Sequence, residues 1–194
     1  EINKGNIRAD DAVPISVKAW RMGGSKMFIR EGTTVPVNDL LKGVIIQSGN
    51  DASVALAEFV ASDEGAFAEV MNQQASLLGM QQTHFVNATG WPAKGHLTTA
   101  RDLSLLATSL IRDFPDHYAL YSEKEFTYNG ITQPNRNGLL WRDASVDGLK
   151  TGHTEEAGYC LVASAKRNDM RLVSVVMGAK SSRGREQETQ KLLS

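Results

Sequence analysis

Apolar positions along the chain change period several times, and each change marks an element. Val13, Ile15 and Val17 alternate with other residues, which predicts a short strand near the start. Gly23-Gly24 signals a loop, and Met27-Phe28-Ile29 is a short apolar run after it. Glu31-Gly32-Thr33-Thr34 reads as a turn. Leu40, Leu41, Val44 and Ile45 then recur at helical spacing, with Asn38 placed to cap that helix. Ser48-Gly49-Asn50 interrupts it. A second helix is expected from Asp51 to about Ala61, and a third from about Glu64 to Leu78, closed by Gly79.

The stretch His84 to Leu97 carries Asn87, Gly90, Pro92 and Gly95 and reads as loop. Thr99-Ala100-Arg101-Asp102 fits a capping box opening a helix to about Arg112. Glu125-Phe126-Thr127-Tyr128 followed by Asn129-Gly130 is a hairpin signal. Tyr159 to Ala165 and Arg171 to Met177 are β-branched apolar runs separated by Arg167-Asn168-Asp169, which predicts adjacent antiparallel strands. Arg183 to Ser194 looks helical. A helical middle with strands at both ends implies an α+β arrangement, with helices packed on an antiparallel sheet.

Composition narrows the function classes. A chain of 194 residues can bury a sizeable core, and 41% hydrophobic with 22% charged residues is an ordinary globular mix. Net charge is −1 and the basic residues are scattered, so there is no electrostatic footprint for nucleic acid. No apolar run approaches the ~20 residues of a spanning helix. Cys160 is the one cysteine; in Tyr159-Cys160-Leu161-Val162 it reads as a small buried hydrophobe rather than a nucleophile. The four histidines show no metal-ligand spacing, so neither a metal nor a cofactor is expected.

Two short motifs carry candidate chemistry. Ser48-Gly49-Asn50 lies between two helices, where Asn50 is a good helix cap. The same triplet sets a hydroxyl that can relay a proton beside a carboxamide that can bind a peptide. In Lys150-Thr151-Gly152, just before the paired strands, lysine supplies positive charge and threonine a hydroxyl for an anion. Glycine there leaves room for a substrate along a strand edge. Together and in this order they match two of the three motifs of class A β-lactamases and penicillin-binding proteins, the third being S-x-x-K.

Longer stretches extend the resemblance. Gly43-Val44-Ile45-Ile46-Gln47-Ser48-Gly49-Asn50-Asp51-Ala52, Asn135-Arg136-Asn137-Gly138-Leu139-Leu140-Trp141, Val146 through Thr154, and Gly184-Arg185-Glu186 are similar to the low-molecular-mass penicillin-binding proteins, the D-alanyl-D-alanine carboxypeptidases of the penicillin-binding protein 5/6 type. The likeness covers nearly the whole chain. It implies a β-lactamase/transpeptidase-like fold, with an antiparallel sheet flanked by helices and a mostly helical subdomain. It implies a serine enzyme that removes the terminal D-alanine from peptidoglycan pentapeptide stems through an acyl-enzyme.

Residue by residue, the resemblance gives Ser48, Asn50 and Lys150 catalytic roles. Ser48 would pass a proton to the leaving amine, Asn50 would hold the substrate amide, and Lys150 would keep the site positive. Thr151, Gly152, His153, Arg185 and Arg136 would bind substrate. Thr151 and Arg185 would do so through the terminal carboxylate, and His153 through a backbone N–H of an oxyanion hole. Arg136 reads equally well as a surface ion-pair residue. Implied partners are stem peptides and β-lactams as covalent inhibitors. The implied location is the periplasmic cell envelope, with the full-length form peripheral on the inner membrane through a C-terminal anchor not present here.

No S-x-x-K occurs in these 194 residues; Ser164-Ala165-Lys166 has one residue too few between serine and lysine. In the resembled enzymes that motif lies roughly sixty residues before S-x-N. Residues 1–194 are therefore expected to be an incomplete catalytic domain that lacks its nucleophile segment and a C-terminal β-rich domain. Alone, the chain is expected to be inactive, with the missing N-terminal segment as a partner. Two alternatives remain. A class A β-lactamase-like hydrolase needs an E-x-x-x-N loop, and Glu125 to Asn129 has that spacing but reads as a hairpin. A non-catalytic stem-peptide-binding domain follows if the nucleophile is truly absent.

Overall fold

A computed structural model describes residues 1–194 as two units. The first comprises residues 1–71, 85–93 and 125–135, and the second residues 72–84, 94–124 and 136–194.

In the first unit, strand β1 (Ala12–Pro14) pairs antiparallel with β2 (Thr34–Pro36), placing Val13 opposite Val35, both fully buried. The expected strand stops short of Val17. Ser16 Oγ accepts from Ala19 N–H at 3.0 Å and so caps helix α1 (Val17–Arg21). Helix α2 (Val37–Ile45) begins before Asn38, which does not cap it. Its first N–H groups, those of Val37 and Asn38, donate to the carbonyls of Asp11 and Ala9, so no side-chain cap is required. Helix α3 (Asn50–Ala61) follows, and α4 (Glu64–Leu77) starts in this unit. Val13, Ile15, Met27, Val35, Leu40 and Val54 form the core. Gly43 is required there, because a Cβ would overlap the Met27 sulfur.

The hairpin falls where the sequence predicts it. Strands β3 (Glu125–Tyr128) and β4 (Ile131–Pro134) join through Asn129 (φ 48) and Gly130 (φ 75), both left-handed as a type I′ turn demands. Glu125 therefore lies in a strand and not on a catalytic loop.

In the second unit, Gly79 (φ 77) closes α4 through Gly79 N–H to the Ser76 carbonyl and Met80 N–H to the Ala75 carbonyl. The loop ends, His84 and Leu97, exchange both backbone hydrogen bonds. Thr99 Oγ1 accepts from Asp102 N–H and caps α5 (Ala100–Asp113). The Asp102 carboxylate turns instead to Gln82 N–H at 2.9 Å and Thr83 Oγ1 at 2.7 Å. Helix α6 (Pro115–Tyr118) continues into a 3₁₀ turn, Ala119–Ser122.

The sheet here has order β5-β6-β7, all antiparallel, from β5 (Val146–Thr154), β6 (Gly158–Arg167) and β7 (Met170–Ala179). Alternation along β6 sends Leu161, Ala163 and Ala165 to one face, against Leu193 beyond α8 (Ser182–Leu192) and Leu139 and Leu140 of α7 (Leu139–Arg142). Val162 and Val173 pack with Ala107, Leu110 and Ile111 of α5. The expectation of an antiparallel sheet flanked by helices holds, with one correction. Lys150-Thr151-Gly152 is not ahead of the paired strands but inside β5, a terminal strand of the sheet.

Candidate active site

Ser48-Gly49-Asn50 is a turn fixed by backbone bonds. Ser48 is left-handed (φ 57), unusual for a residue with a side chain. Gly49 N–H donates to the Gly43 carbonyl at 3.0 Å, and Asn50 N–H to the Ser25 carbonyl at 2.8 Å. Asn50 is not the cap; Gly49 occupies that position and Asn50 is the first helical residue. The carboxamide is used elsewhere, Nδ2 donating to the Gly23 carbonyl at 2.9 Å. A Cβ on Gly24 would sit 2.7 Å from that Nδ2 and 3.0 Å from the Trp91 ring, so position 24 must be glycine for the carboxamide to dock.

Asp51 does the anchoring, and sequence reasoning missed it. Its carboxylate is buried and accepts from three successive N–H groups, Met27 at 2.8 Å, Phe28 at 2.9 Å and Ile29 at 3.2 Å. In sequence it looks like an ordinary acid in a first helical turn. The chain pattern gives no sign that residues 27–29 present their N–H groups to it.

The second motif lies along β5. Thr151 pairs with Leu161, Gly152 with Cys160 and His153 with Tyr159. Thr151 is buried, and the partly buried Lys150 donates from Nζ to the Thr151 carbonyl at 3.0 Å. Burial, with the like charges of Arg136 and Arg185, pulls the Lys150 ammonium down to about 8. The three predicted cations therefore act on one another. Arg185 is only 6% exposed; its Nη1 donates to the carbonyls of Gly152 at 3.1 Å and Cys160 at 3.4 Å. The guanidinium lies 5.5 Å from the Tyr159 ring centre, and burial lowers its pKa. The His153 ring is exposed and sits 3.9 Å from that of Tyr159, centre to centre. Arg136 is exposed. Cys160 is half-buried rather than buried, its Sγ 3.6 Å from the Ala157 carbonyl.

Behind β5 lies a polar network with no signature in the sequence. Tyr118 Oη hydrogen-bonds Ser164 Oγ, which donates to Asp147 Oδ1 at 2.6 Å, and Asp147 pairs with Arg171. Burial pushes the Tyr118 phenol up to about 12, which keeps it a neutral hydrogen-bonding group. Asn137 is buried and donates to the Gly148 carbonyl at 3.0 Å. Gly138 lets the buried Glu186 carboxylate come close; a Cβ would lie 3.1 Å from its Cδ. Glu186 in turn pairs with Arg142 at 2.6 Å. These contacts give Asn137, Gly138, Arg185 and Glu186 structural roles within the two stretches.

Ser48 and Asn50 belong to the first unit; Lys150, Thr151, Gly152, His153, Arg136 and Arg185 belong to the second. A known family, described as D-alanyl-D-alanine carboxypeptidase, matches residues 1–181. D-alanyl-D-alanine carboxypeptidase DacA of Escherichia coli strain K12 is 49% identical over 196 residues, covering 97% of this chain and 49% of its own length. The chain thus spans about half the length of the curated relatives it matches. Penicillin-binding protein 5 of Haemophilus influenzae is 47% identical with a TM-score of 0.96, covering 99% of this chain and 57% of that one. Penicillin-binding protein D2 of Listeria monocytogenes, solved in its cefotaxime-bound form, is 31% identical with a TM-score of 0.88, covering 99% of this chain and 78% of that one. The fold is accordingly that of the penicillin-binding DD-peptidases, and the chain belongs to the D-alanyl-D-alanine carboxypeptidase family of serine peptidases.

Proposed function

We propose that the natural polypeptide carrying this chain is a serine-type D-Ala-D-Ala carboxypeptidase of the bacterial cell envelope, acting in the periplasm on pentapeptide stems and acylated by β-lactams. The observation that carries this is the fixed S-G-N turn and the K-T-G strand together on a chain of this family. The β-lactam part rests on the cefotaxime-bound relative. The acylating serine lies outside these 194 residues, which contain no S-x-x-K.

In this reading, that serine attacks the carbonyl of the penultimate D-alanine. The C–N bond breaks, and the departing amine takes a proton from the Ser48 hydroxyl. Asn50 keeps its Oδ1 for the substrate amide while Nδ2 is tied to Gly23. The Thr151 hydroxyl and Arg185 hold the terminal carboxylate, with Arg136 adding positive charge. The His153 N–H, at the end of β5, donates to the developing oxyanion, and Gly152 gives the peptide room along the strand. Lys150, held at about 8, takes up the proton that the attacking serine releases and can return one near neutral pH. Water then cleaves the ester.

The test incubates the full natural polypeptide with a pentapeptide ending in D-Ala-D-Ala, and separately with labelled penicillin. Release of one D-alanine per peptide and a long-lived adduct are expected, with Lys150→Ala slowing both by about 10²-fold or more. Rapid penicillin turnover would replace this reading with a β-lactamase-like one. Binding without D-alanine release or adduct would leave a stem-peptide-binding domain.

A further inference from the structure

A cavity of about 300 Å³ in the first unit has chemistry that the reaction above does not use. Trp20, Phe28 and Ile131 line it with apolar surface and are 38%, 49% and 42% exposed. Lys26, Arg30 and Asn129 supply the polar lining. No carboxylate pairs with Lys26 or Arg30; the Lys26 ammonium reaches only the Trp20 carbonyl, at 3.4 Å.

The walls are built rather than incidental. Met27 and Ile29 are buried and their N–H groups, with that of Phe28, are bound by Asp51. That arrangement forces Phe28 into the left-handed region (φ 68) and holds its ring outward, a conformation an aromatic residue adopts only under constraint. The hairpin wall is tied to the same segment, Gln133 Nε2 donating to the Lys26 carbonyl at 3.0 Å. The segment that forms the floor is also the one bonded to Asn50, through Ser25 and Gly23.

We propose that this cavity binds the sugar portion of an acidic glycopeptide: an N-acylated amino-sugar ring against Trp20 and Phe28, with a carboxylate of the attached peptide on Lys26 and Arg30. The inference rests on the carboxypeptidase reading, since the stem peptide named there is carried on such a sugar. Aromatic faces suit the C–H face of a sugar ring, and the indole N–H and the Asn129 amide suit its hydroxyl and acyl groups. Two unpaired cations beside them select an anion. The volume lies at the small end of ligand pockets and fits one ring, not a strand of several.

The test measures calorimetric affinities of the full natural polypeptide for N-acetylmuramyl-L-alanyl-D-glutamate and for the sugar-free L-alanyl-D-glutamate. The sugar-bearing compound should bind at least tenfold more tightly. Trp20→Ala should erase that preference and leave the sugar-free affinity unchanged; Trp20→Phe should retain part of it; Lys26→Met with Arg30→Met should weaken both compounds. Thermal melts confirm that each variant folds. Equal affinities for the two compounds, or a preference that survives Trp20→Ala, overturns the proposal. So does loss of binding to anionic phosphatidylglycerol vesicles in the double variant with glycopeptide affinity intact. D-alanine release from a sugar-free pentapeptide is assayed alongside. Release without sugar preference removes this site alone, and sugar preference without release removes the reaction reading alone.

Discussion

Lys150 should make the folded state less stable at neutral pH than at alkaline pH. Its ammonium is partly buried on β5 and faces the like charges of Arg136 and Arg185, which together draw it from an ordinary value near 10.5 to about 8. At about 1.4 kcal/mol per pH unit, that difference amounts to about 3 kcal/mol of destabilisation carried by one protonated side chain. Below pH 8 the lysine is charged in both folded and unfolded states, and the full cost is present. Between pH 8 and 10.5 the unfolded chain keeps the proton that the folded chain has lost, so stability rises with pH through this window. Above it both states are neutral and the cost is gone.

The assay compares unfolding free energies of the natural sequence and Lys150→Met from pH 7 to pH 10.5 in urea. Other groups titrate in the same range, including further lysines and tyrosines, and the comparison with the methionine variant cancels them. The natural sequence should gain about 3 kcal/mol on the variant across the window. NMR of ¹³C-labelled lysine should place the Lys150 midpoint near 8, and Arg136→Gln should move it upward by removing a like charge. Parallel stability profiles, or a midpoint at the ordinary lysine value, would refute the reasoning.

Two further outcomes concern the supports of the motifs. Asp51→Ala leaves three N–H groups of residues 27–29 without an acceptor and should cost about 3 kcal/mol or more, read by urea denaturation, whereas Asp51→Asn should cost less. Gly148→Ala places a Cβ against the Tyr118 hydroxyl and 3.0 Å from its Cζ. It should destabilise by about 1–3 kcal/mol. The cost should shrink in a Tyr118→Phe background, as a double-mutant cycle would show.

What the sequence reveals depends on how local the cause is. The Asn129-Gly130 hairpin is legible because both left-handed residues sit in adjacent positions, and the β6 and β7 strands because most of β6 and the middle of β7 are at least partly covered, which leaves long apolar runs. Helix α2 is legible in its apolar period but not in its start, because carbonyls of Asp11 and Ala9 replace the cap that Asn38 suggests. Strand β5 is illegible because Gly148, Lys150, Gly152 and His153 break its apolar alternation and its register shifts between Val146 and Gly148. Pairing with β6 overrides that local pattern. The motif residues were readable, whereas Asp51, Asn137, Tyr118 and Ser164 were not, since each acts on residues distant in sequence.

That division has a physical cause. Ser48 and Lys150 are poorly placed for stability: one has a left-handed backbone, the other carries a charge drawn down by its surroundings. Neither conformation would persist unless neighbours over-determine it. For Ser48 the neighbours are Gly43, whose carbonyl ties down Gly49, and Asp51, which anchors the helix that follows. For β5 they are Asn137 and Arg185, which bond its carbonyls at Gly148 and Gly152. Arg185 is itself buried with its Nε lacking a hydrogen-bond partner, so even the support carries unrelieved cost. Substitutions that relax these groups should therefore raise stability while removing the charge and geometry the motifs supply, and Lys150→Met is the sharpest case because it separates the two effects in one side chain.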